Sequence, residues 1–188
     1  NVQMRRKNGE LFYAAISARL IELNGEKCII AISRDITEKK NEEELRQALF
    51  QISDAAISTP DFISLCKKIH SIIADLMPSQ NIYIALHNKE EDLFEYPYFV
   101  DEYDPPPAPR KRGKGLTEFV IDTGKAWLVD PDEFYSLVEK GVVEIIGAPS
   151  IDWLGVPLKV RDEVIGAIVV QSYTEGIRYT NEHKKILS

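Results

Sequence analysis

The stretch from Ile151 to Tyr173, IDWLGVPLKVRDEVIGAIVVQSY, decides the fold of this chain because it predicts a central β-hairpin. Its second half, Val164 to Val170, is almost wholly apolar, as expected of a strand that is covered on both faces. A short polar turn, Arg161 to Glu163, joins this strand to the one before it. We therefore expect the other strands of the domain to lie on either side of this hairpin.

The sequence upstream of the hairpin alternates predicted helices and strands. Thr59 and Pro60 are typical of a helix N-cap and first helical position, and Gly124 and Gly141 are typical helix ends. The order predicts an α+β domain with a central antiparallel sheet flanked by helices. Its predicted elements are a helix after Pro60, strands Asn81 to His87 and Leu93 to Val100, a helix from Gly115 to Gly124, a strand from Lys125 to Val129, a helix capped by Asp130, and a last helix capped by Thr180.

Two motifs make this domain similar to the GAF family. Ser150, Gly155-Val156-Pro157-Leu158 and Gly166 match the family's hairpin pattern, and the segment from Gly115 to Lys125 matches its G-L-T helix followed by G-K and a strand. The resemblance covers residues 45–188, with the final helix truncated. It implies a GAF-like central antiparallel sheet and a pocket for a small ligand that this helix and strand border.

The N-terminal segment predicts three antiparallel strands joined by two Asn-Gly turns, at Asn8-Gly9 and Asn24-Gly25. Because it ends in Arg34-Asp35-Ile36-Thr37, the segment from 1 to 36 resembles the C-terminal strands of a PAS domain, the PAC region. We expect such a three-stranded sheet to expose apolar surface and to pair with a second chain or with the next domain.

A signalling or linker helix is predicted over residues 37–58, which contain neither Gly nor Pro. Apolar residues recur along it at coiled-coil spacing, which indicates the seam of a homodimer. The alternative is that this helix packs its apolar stripe on the sheet of its own domain. The seam candidates are Leu45, Leu49, Ile52 and Ala56.

Composition excludes several classes of protein. A net charge of −7 argues against nucleic acid and against an anionic membrane surface as partners. The two cysteines, Cys28 and Cys66, lack the spacing of a zinc site or a disulfide framework, which favours a reducing cytoplasm. No apolar run reaches the ~18 residues that span a bilayer. The chain begins inside a strand pattern and ends inside a helix pattern, so we expect it to be a fragment of a longer protein.

No catalytic or metal site is predicted. The histidines, His70, His87 and His183, have no metal-ligand spacing, and no nucleophile and base share a recognisable motif. A basic cluster, Arg110, Lys111, Arg112 and Lys114, either binds a phosphate at the following helix or lies solvated in its loop, and charge runs are usually solvated.

Aromatic residues supply the ligand-pocket candidates, since they fall on elements that line the pocket in GAF relatives. They are suited to stacking a nucleotide, a tetrapyrrole or an aromatic acid, although the alternative is that most of them are plain core. The candidates are Tyr83, Tyr98, Phe119, Trp127, Phe134, Tyr135, Trp153 and Tyr173.

Known GAF chemistries do not match this sequence. Asn88-Lys89 is followed by Glu90, Glu91 and Asp92 and not by the N-K-F-D-E set of cyclic-nucleotide binders. Bilin-binding relatives and GAF-type methionine sulfoxide reductases use pocket cysteines, and no cysteine follows Cys66. No particular ligand or cofactor is therefore implied, and enzyme activity within this chain is not expected.

The sequence thus predicts a sensory module of a signal-transduction protein, such as a two-component sensor histidine kinase. A small ligand would bind the GAF domain, and helices would pass the signal to a C-terminal output domain of the same chain, a histidine kinase or a cyclase. One alternative is a ligand-free GAF domain that acts as a structural dimerisation module. A second alternative is an enzyme with an unrecognised pocket.

Overall fold

The computed structural model describes residues 2–188, and the chain divides between Phe50 and Gln51 into two compact units. The first unit contains a three-stranded antiparallel sheet in the order β1-β2-β3. Asn24 and Gly25 both have a positive φ in the turn between the second and third strands, as a tight Asn-Gly hairpin requires. Its strands are β1 (Val2–Arg5), β2 (Leu11–Leu23) and β3 (Glu26–Asp35).

This small sheet exposes apolar side chains, as the sequence predicted. Ile16 and Leu20 of β2 and Ile29 and Ile32 of β3 all lie largely in solvent. Each strand pairs only with its neighbour in sequence, so the sheet is a local meander.

Helix α1 (Thr37–Ser58) spans the division between the two units. Of the residues proposed for a dimer seam, Leu45 and Ile52 are half-buried, whereas Leu49 and Ala56 are exposed.

The second unit is built on a six-stranded sheet in the order β6-β5-β4-β9-β8-β7, with every neighbouring pair antiparallel. The predicted α+β architecture with a central antiparallel sheet is therefore confirmed. Its elements are α2 (Phe62–Leu76), β4 (Asn81–Asn88), β5 (Leu93–Val100), β6 (Arg110–Lys111), α3 (Leu116–Thr123), β7 (Trp127–Val129), α4 (Pro131–Glu139), β8 (Asp152–Val160), β9 (Glu163–Ser172) and α5 (Asn181–Leu187).

The apolar strand β9 lies at the centre of this sheet, between β4 and β8. Its side chains alternate between two buried clusters, with Ile168 and Val170 in one and Ala167 and Val169 in the other. Both faces of the strand are thus covered, which explains why its sequence lacks the polar alternation of a half-exposed strand.

The two faces of the sheet carry different layers. Apolar residues of α2 and α5, among them Ile73 and Leu187, pack on one face. Val120 and Ile121 of α3 and Phe134 of α4 pack on the other. We call the second of these the α3 face; it carries the candidate site.

The start of α2 differs from the prediction. The helix begins at Phe62, and its N-cap is Asp61, whose carboxylate accepts a hydrogen bond from the Ser64 amide at 2.9 Å. Thr59 was expected to be the cap, but its amide donates to the Ala55 carbonyl and so continues the end of α1. The predicted cap of α5 is confirmed, because the Thr180 hydroxyl accepts from the His183 amide at 3.2 Å.

No helix within residues 2–188 combines the length and the apolar character that crossing a bilayer requires.

Candidate functional site

A cavity of about 340 Å³ lies on the α3 face of the sheet, inside the second unit. The sheet and the first turn of α3 form part of its wall, and Phe134 of α4 contributes a ring. The segment that follows α4 supplies Glu144 to Ser150 to the lining, and we call this segment the cover loop. The volume falls within the range of small-molecule sites, on the order of 300–1,000 Å³.

Aromatic rings from the adjacent strands β5 and β4, and from β8 on the other side of β9, line the sheet side of the cavity. Tyr83 of β4 stacks on Phe99 of β5 with ring centroids 5.4 Å apart, and Tyr96 lies 6.0 Å from Tyr83. Trp153 of β8 adds an indole. A Cβ at Gly155 would lie 2.2 Å from this indole, so the glycine gives the ring room to lie along the strand.

A β-bulge brings Tyr96 to the cavity. Ile84 pairs with Tyr98 and Leu86 pairs with Glu95, so Tyr96 and Pro97 together face the single residue Ala85. Because proline has no amide hydrogen to donate to a neighbouring strand, Pro97 is tolerated at this irregular position. The extra residue reverses the alternation of side chains, so Tyr96 lies with Phe99 on the α3 face, while Tyr98 packs in the opposite cluster.

The buried carboxylate of Glu118 is the most unusual polar group of the cavity wall. Glu118 lies in the first turn of α3 and is only 2% exposed. Its Oε1 contacts Nη1 of Arg110 at 2.6 Å and accepts from the amide of Gly113 at 3.1 Å. Its Oε2 is buried and finds no hydrogen-bond donor among the described residues.

Arg110 is held by this carboxylate and by aromatic rings. Its guanidinium lies 5.7 Å from the ring centre of Phe94 and 5.9 Å from that of Tyr96. Burial by itself lowers the pKa of Arg110, but the hydrogen bond to Glu118 and the nearby negative charge raise it, and the net direction is upward. The arginine therefore stays charged, and its guanidinium already has partners within the protein, the carboxylate of Glu118 and two aromatic rings.

The hydroxyl of Tyr83 is also occupied by a protein group. It forms a hydrogen bond of 2.9 Å with the Thr117 hydroxyl of α3. Burial raises the pKa of Tyr83 well above its ordinary value, so this phenol remains neutral. Tyr83 thus offers its ring to the cavity.

The cover loop is tied to the segment that follows β5. The amide of Ala148 donates to a carboxylate oxygen of Asp104 at 2.8 Å. Gln171 of β9, which also lines the cavity, donates to Asp101 at 2.6 Å. These bonds hold the cover loop and Gln171 to the segment that follows β5.

The structure places three of the eight aromatic pocket candidates, Tyr83, Phe134 and Trp153, on the cavity wall. The other five lie elsewhere in the second unit. The hydroxyl of Tyr98 forms a hydrogen bond with His70 of α2 on the opposite face of the sheet. Phe119 and Trp127 pack edge to face on one another. Tyr135 is 50% exposed, and the hydroxyl of Tyr173 donates to Asp101.

Sequence reasoning missed several lining residues. Strict alternation in β5 places Tyr96 and Tyr98 on one face and Phe99 on the other, so it does not anticipate that the bulge puts Tyr96 and Phe99 on the same face; Pro97 inside a strand was the available signal. Glu118 was missed because an acidic residue in the first turn of a helix usually faces solvent and complements the helix dipole. The cover loop carried no motif.

The basic cluster is occupied by acceptors of the protein. Besides the pairing of Arg110, Lys111 donates to the carbonyl of Glu91, and Arg112 pairs with Asp122. These pairings argue against a phosphate site, and the solvated-loop interpretation does not hold for Arg110 and Lys111, which form strand β6, with Arg110 paired to a buried carboxylate. Across residues 2–188, no three histidine, cysteine or acidic side chains cluster in a way that would hold a metal ion.

An antiparallel sheet with helices on both faces and an aromatic cavity under a loop defines a class of α+β domain with a ligand-sized cavity on one face of its sheet. The chain belongs to the GAF domain family, whose sequence profile matches residues 61–188. No curated protein sequence matches the chain.

Solved structures show the same fold at low sequence identity. The GAF domain of an Acinetobacter phosphoenolpyruvate-protein phosphotransferase is 16% identical, with a TM-score of 0.60 over 79% of this chain and 85% of that one. The corresponding Coxiella burnetii domain is 14% identical, with a TM-score of 0.59 over 78% and 84%. The free methionine-R-sulfoxide reductase of Neisseria meningitidis, in complex with its substrate, is 16% identical, with a TM-score of 0.56 over 78% and 85%.

Proposed function

We propose that this protein is a sensory module whose GAF domain binds a small ligand in the cavity on the α3 face. The observation that carries the proposal is the cavity itself, about 340 Å³ lined by Tyr83, Tyr96, Phe99, Phe134 and Trp153. A GAF domain with a purely structural role would fill this space with its own side chains. The open volume favours ligand binding over that alternative.

Native mass spectrometry of the gently purified protein, with an absorption spectrum, tests the binding function. We expect extra mass that is lost on denaturation. Ser150→Trp places an indole on a residue that lines the cavity and should abolish the extra mass. Thr174→Trp, on an exposed residue outside the lining, is the matched control and should keep it. Bare protein that also shows no thermal shift with any compound of a small-molecule library would contradict the proposal.

An enzyme remains the second candidate, because a reductase is among the proteins with this fold. That chemistry uses pocket cysteines in GAF-type reductases, whereas Cys66 packs with Ile73 and Tyr98 on the face opposite the cavity. Burial raises the pKa of the Cys66 thiol, which disfavours the reactive thiolate. A binding role therefore agrees better with the residues that line this cavity.

We further propose that α1 carries the signal between two copies of the chain. Leu49, Phe50 and Ile57 are 57%, 73% and 88% exposed on this helix, so it offers apolar surface to a partner helix. In this proposal the meander of residues 2–35 is the C-terminal part of a PAS domain. The output domain, a histidine kinase or a cyclase of a two-component or related system, lies further along the same cytoplasmic chain.

Hydrogen exchange tests the transmission step. Ligand binding should change the protection of amides in α1 as well as in the cover loop, because a ligand acts only through different affinity for two helix arrangements. Protection that changes in the cover loop alone would leave binding intact and contradict signalling through α1.

A further inference from the structure

The unpartnered oxygen of Glu118 identifies the kind of group that the cavity recognises. An ionised carboxylate is an acceptor only, and its two oxygens together accept about four hydrogen bonds. Arg110 and the Gly113 amide use Oε1, while Oε2 is buried with no donor among the described residues. A buried acceptor left in this condition costs free energy, about 1–3 kcal/mol. A ligand that donates a hydrogen bond to Oε2 removes this cost.

The charges around the cavity favour a cation over an anion. Among the described residues that line it, four carry carboxylates, Asp104, Glu118, Asp130 and Glu144, and one carries a guanidinium, Arg110. The single positive charge is already paired with Glu118 at 2.6 Å. The positive end of the α3 dipole is likewise complemented by Glu118 in its first turn. Asp104, Asp130 and Glu144 have no basic partner among the described residues, so the charged side chains of the lining sum to a net negative charge.

The aromatic rings specify the rest of the ligand. Tyr83 is bonded through its hydroxyl to Thr117, so it presents a ring face or edge, as Phe99 and Trp153 do. Such rings cover an apolar skeleton, and their faces also attract cations at a distance of up to about 6 Å. Rings and carboxylates together match a molecule that is apolar with one positive end.

We infer that the cavity binds a small protonated amine, whose ammonium group donates to Oε2 of Glu118 while its apolar body lies against the aromatic rings. This inference rests on the proposed role of the cavity as a ligand site. The ammonium group reaches Oε2 past Ile146, which flanks the same spot and is 49% exposed on the cover loop, so its side chain can move aside.

Gly115 keeps this approach open. A Cβ built on Gly115 would lie 2.9 Å from Oε2 of Glu118 and 3.1 Å from Cδ1 of Ile146. Its φ of −79° is accessible to alanine, so the glycine is not required by the backbone. The missing side chain lets Oε2 and Ile146 lie against Gly115, and an added Cβ would take up the space that the ammonium group enters when Ile146 moves aside.

Calorimetric titration with three compounds of one skeleton tests the inference: phenethylamine, 2-phenylethanol and phenylacetate. Phenethylamine should bind roughly tenfold or more tightly than the alcohol, and phenylacetate should bind most weakly, because a hydrogen bond to a charged group and the sign of the field both favour the amine. The same comparison of amine, alcohol and acid is then made on other skeletons, from two carbons to an indole. This separates the effect of charge on affinity from the effect of size.

Two variants locate the recognition at Glu118. Glu118→Gln retains an acceptor for Arg110 and Gly113 but replaces Oε2 by an amide that donates, so amine affinity should fall about tenfold while alcohol affinity is unchanged. Gly115→Ala should have the same selective effect. Asp122→Asn is the matched control, because Asp122 is an exposed carboxylate on the same helix outside the cavity, and amine affinity should stay as in the parent protein.

Three outcomes overturn the inference in distinguishable ways. Amines that bind no better than the matching alcohols, or acids that bind best, would refute the amine class and leave ligand binding by the cavity in place. Selectivity for amines that survives in Glu118→Gln would place the recognition at another group. No binding in any series, together with bare protein in native mass spectrometry, would refute both the amine and the ligand site.

Discussion

Gly166 shows how one missing side chain holds the centre of the sheet together. A Cβ at this position would lie 2.2 Å from the carbonyl oxygen of Ala85 and 3.1 Å from the Cα of Leu86. Both atoms belong to the backbone of the paired strand β4, so no rotamer change relieves the contact. Gly166, which belongs to the hairpin pattern of the GAF family, thus lets the backbone of the neighbouring strand approach closely.

Gly166→Val should therefore lower the free energy of unfolding by about 1–3 kcal/mol, the usual cost of overpacking. Gly166→Ala should show a smaller part of the same effect. The midpoint of urea unfolding should fall with an unchanged slope, since the surface exposed on unfolding is the same. An unchanged midpoint for the valine variant would mean that the pairing of β9 with β4 is misplaced.

His183 makes stability depend on pH near neutrality. Burial lowers the pKa of His183 below its ordinary value of 6.5, although the charges of Glu182 and Asp152 oppose this. Its Nδ1 also accepts from the Thr180 amide at 3.3 Å, which a protonated ring cannot do. The unfolded chain binds the proton more tightly, so stability is lost as the pH falls through 6.5 toward the lower folded pKa.

His183→Gln tests this dependence, because glutamine at the same helix position accepts the capping bond and does not titrate. Urea unfolding between pH 5.5 and 7.5 should show a smaller loss of stability at low pH in the variant than in the parent protein. Parallel curves for the two proteins would assign the pH dependence to other groups.

At the scale of elements, α3 depends on the glycine that ends it. Gly124 adopts the left-handed conformation, with φ of 60°, and its amide donates to the Val120 carbonyl. Gly124→Ala should cost about 1 kcal/mol, and Gly124→Asn less, because asparagine tolerates this conformation better. Thermal melts of the two variants rank them. Equal melting temperatures for Gly124→Ala and the parent protein would contradict the role of Gly124 as a helix cap.

Most elements of the second unit could be predicted because their signals are local. A few residues are enough to predict each of these elements. Examples are the apolar run of β9, the glycine at the end of α3 and the Thr180 cap. The irregular features were not predictable in this way. The bulge at Pro97 depends on pairing with Ala85, and the start of α2 depends on how far α1 continues.

The candidate site was the least predictable part, because it joins residues that are distant in sequence. Tyr83, Glu118 and Trp153 come together only when three elements fold. Periodicity identifies a buried aromatic residue but does not distinguish the two faces of a bulged strand. Because of this limit of local patterns, the candidates from the sequence include the lining residues Tyr83, Phe134 and Trp153 but not Glu118.

At the scale of the whole molecule, the proposed dimer depends on the apolar stripe of α1. Leu49→Asp places a charge in the proposed seam and should shift the mass in light scattering from dimer toward monomer. Gln47→Asp, on the opposite side of the same helix, is the control and should leave the mass unchanged. A mass that is the same for Leu49→Asp and the parent protein would contradict the seam.

The order of strands in the large sheet has a consequence for biosynthesis. The meander is complete once Asp35 has left the ribosome, because each of its strands pairs with the next. Strand β4 must wait for β9, since Asn81 pairs with Gln171, which is 90 residues later in the sequence. At roughly 5–20 residues per second, the nascent chain carries an unfinished apolar hairpin for several seconds. A premature stop anywhere before β9 would leave it permanently without its central strand, as a substrate for chaperones and proteases.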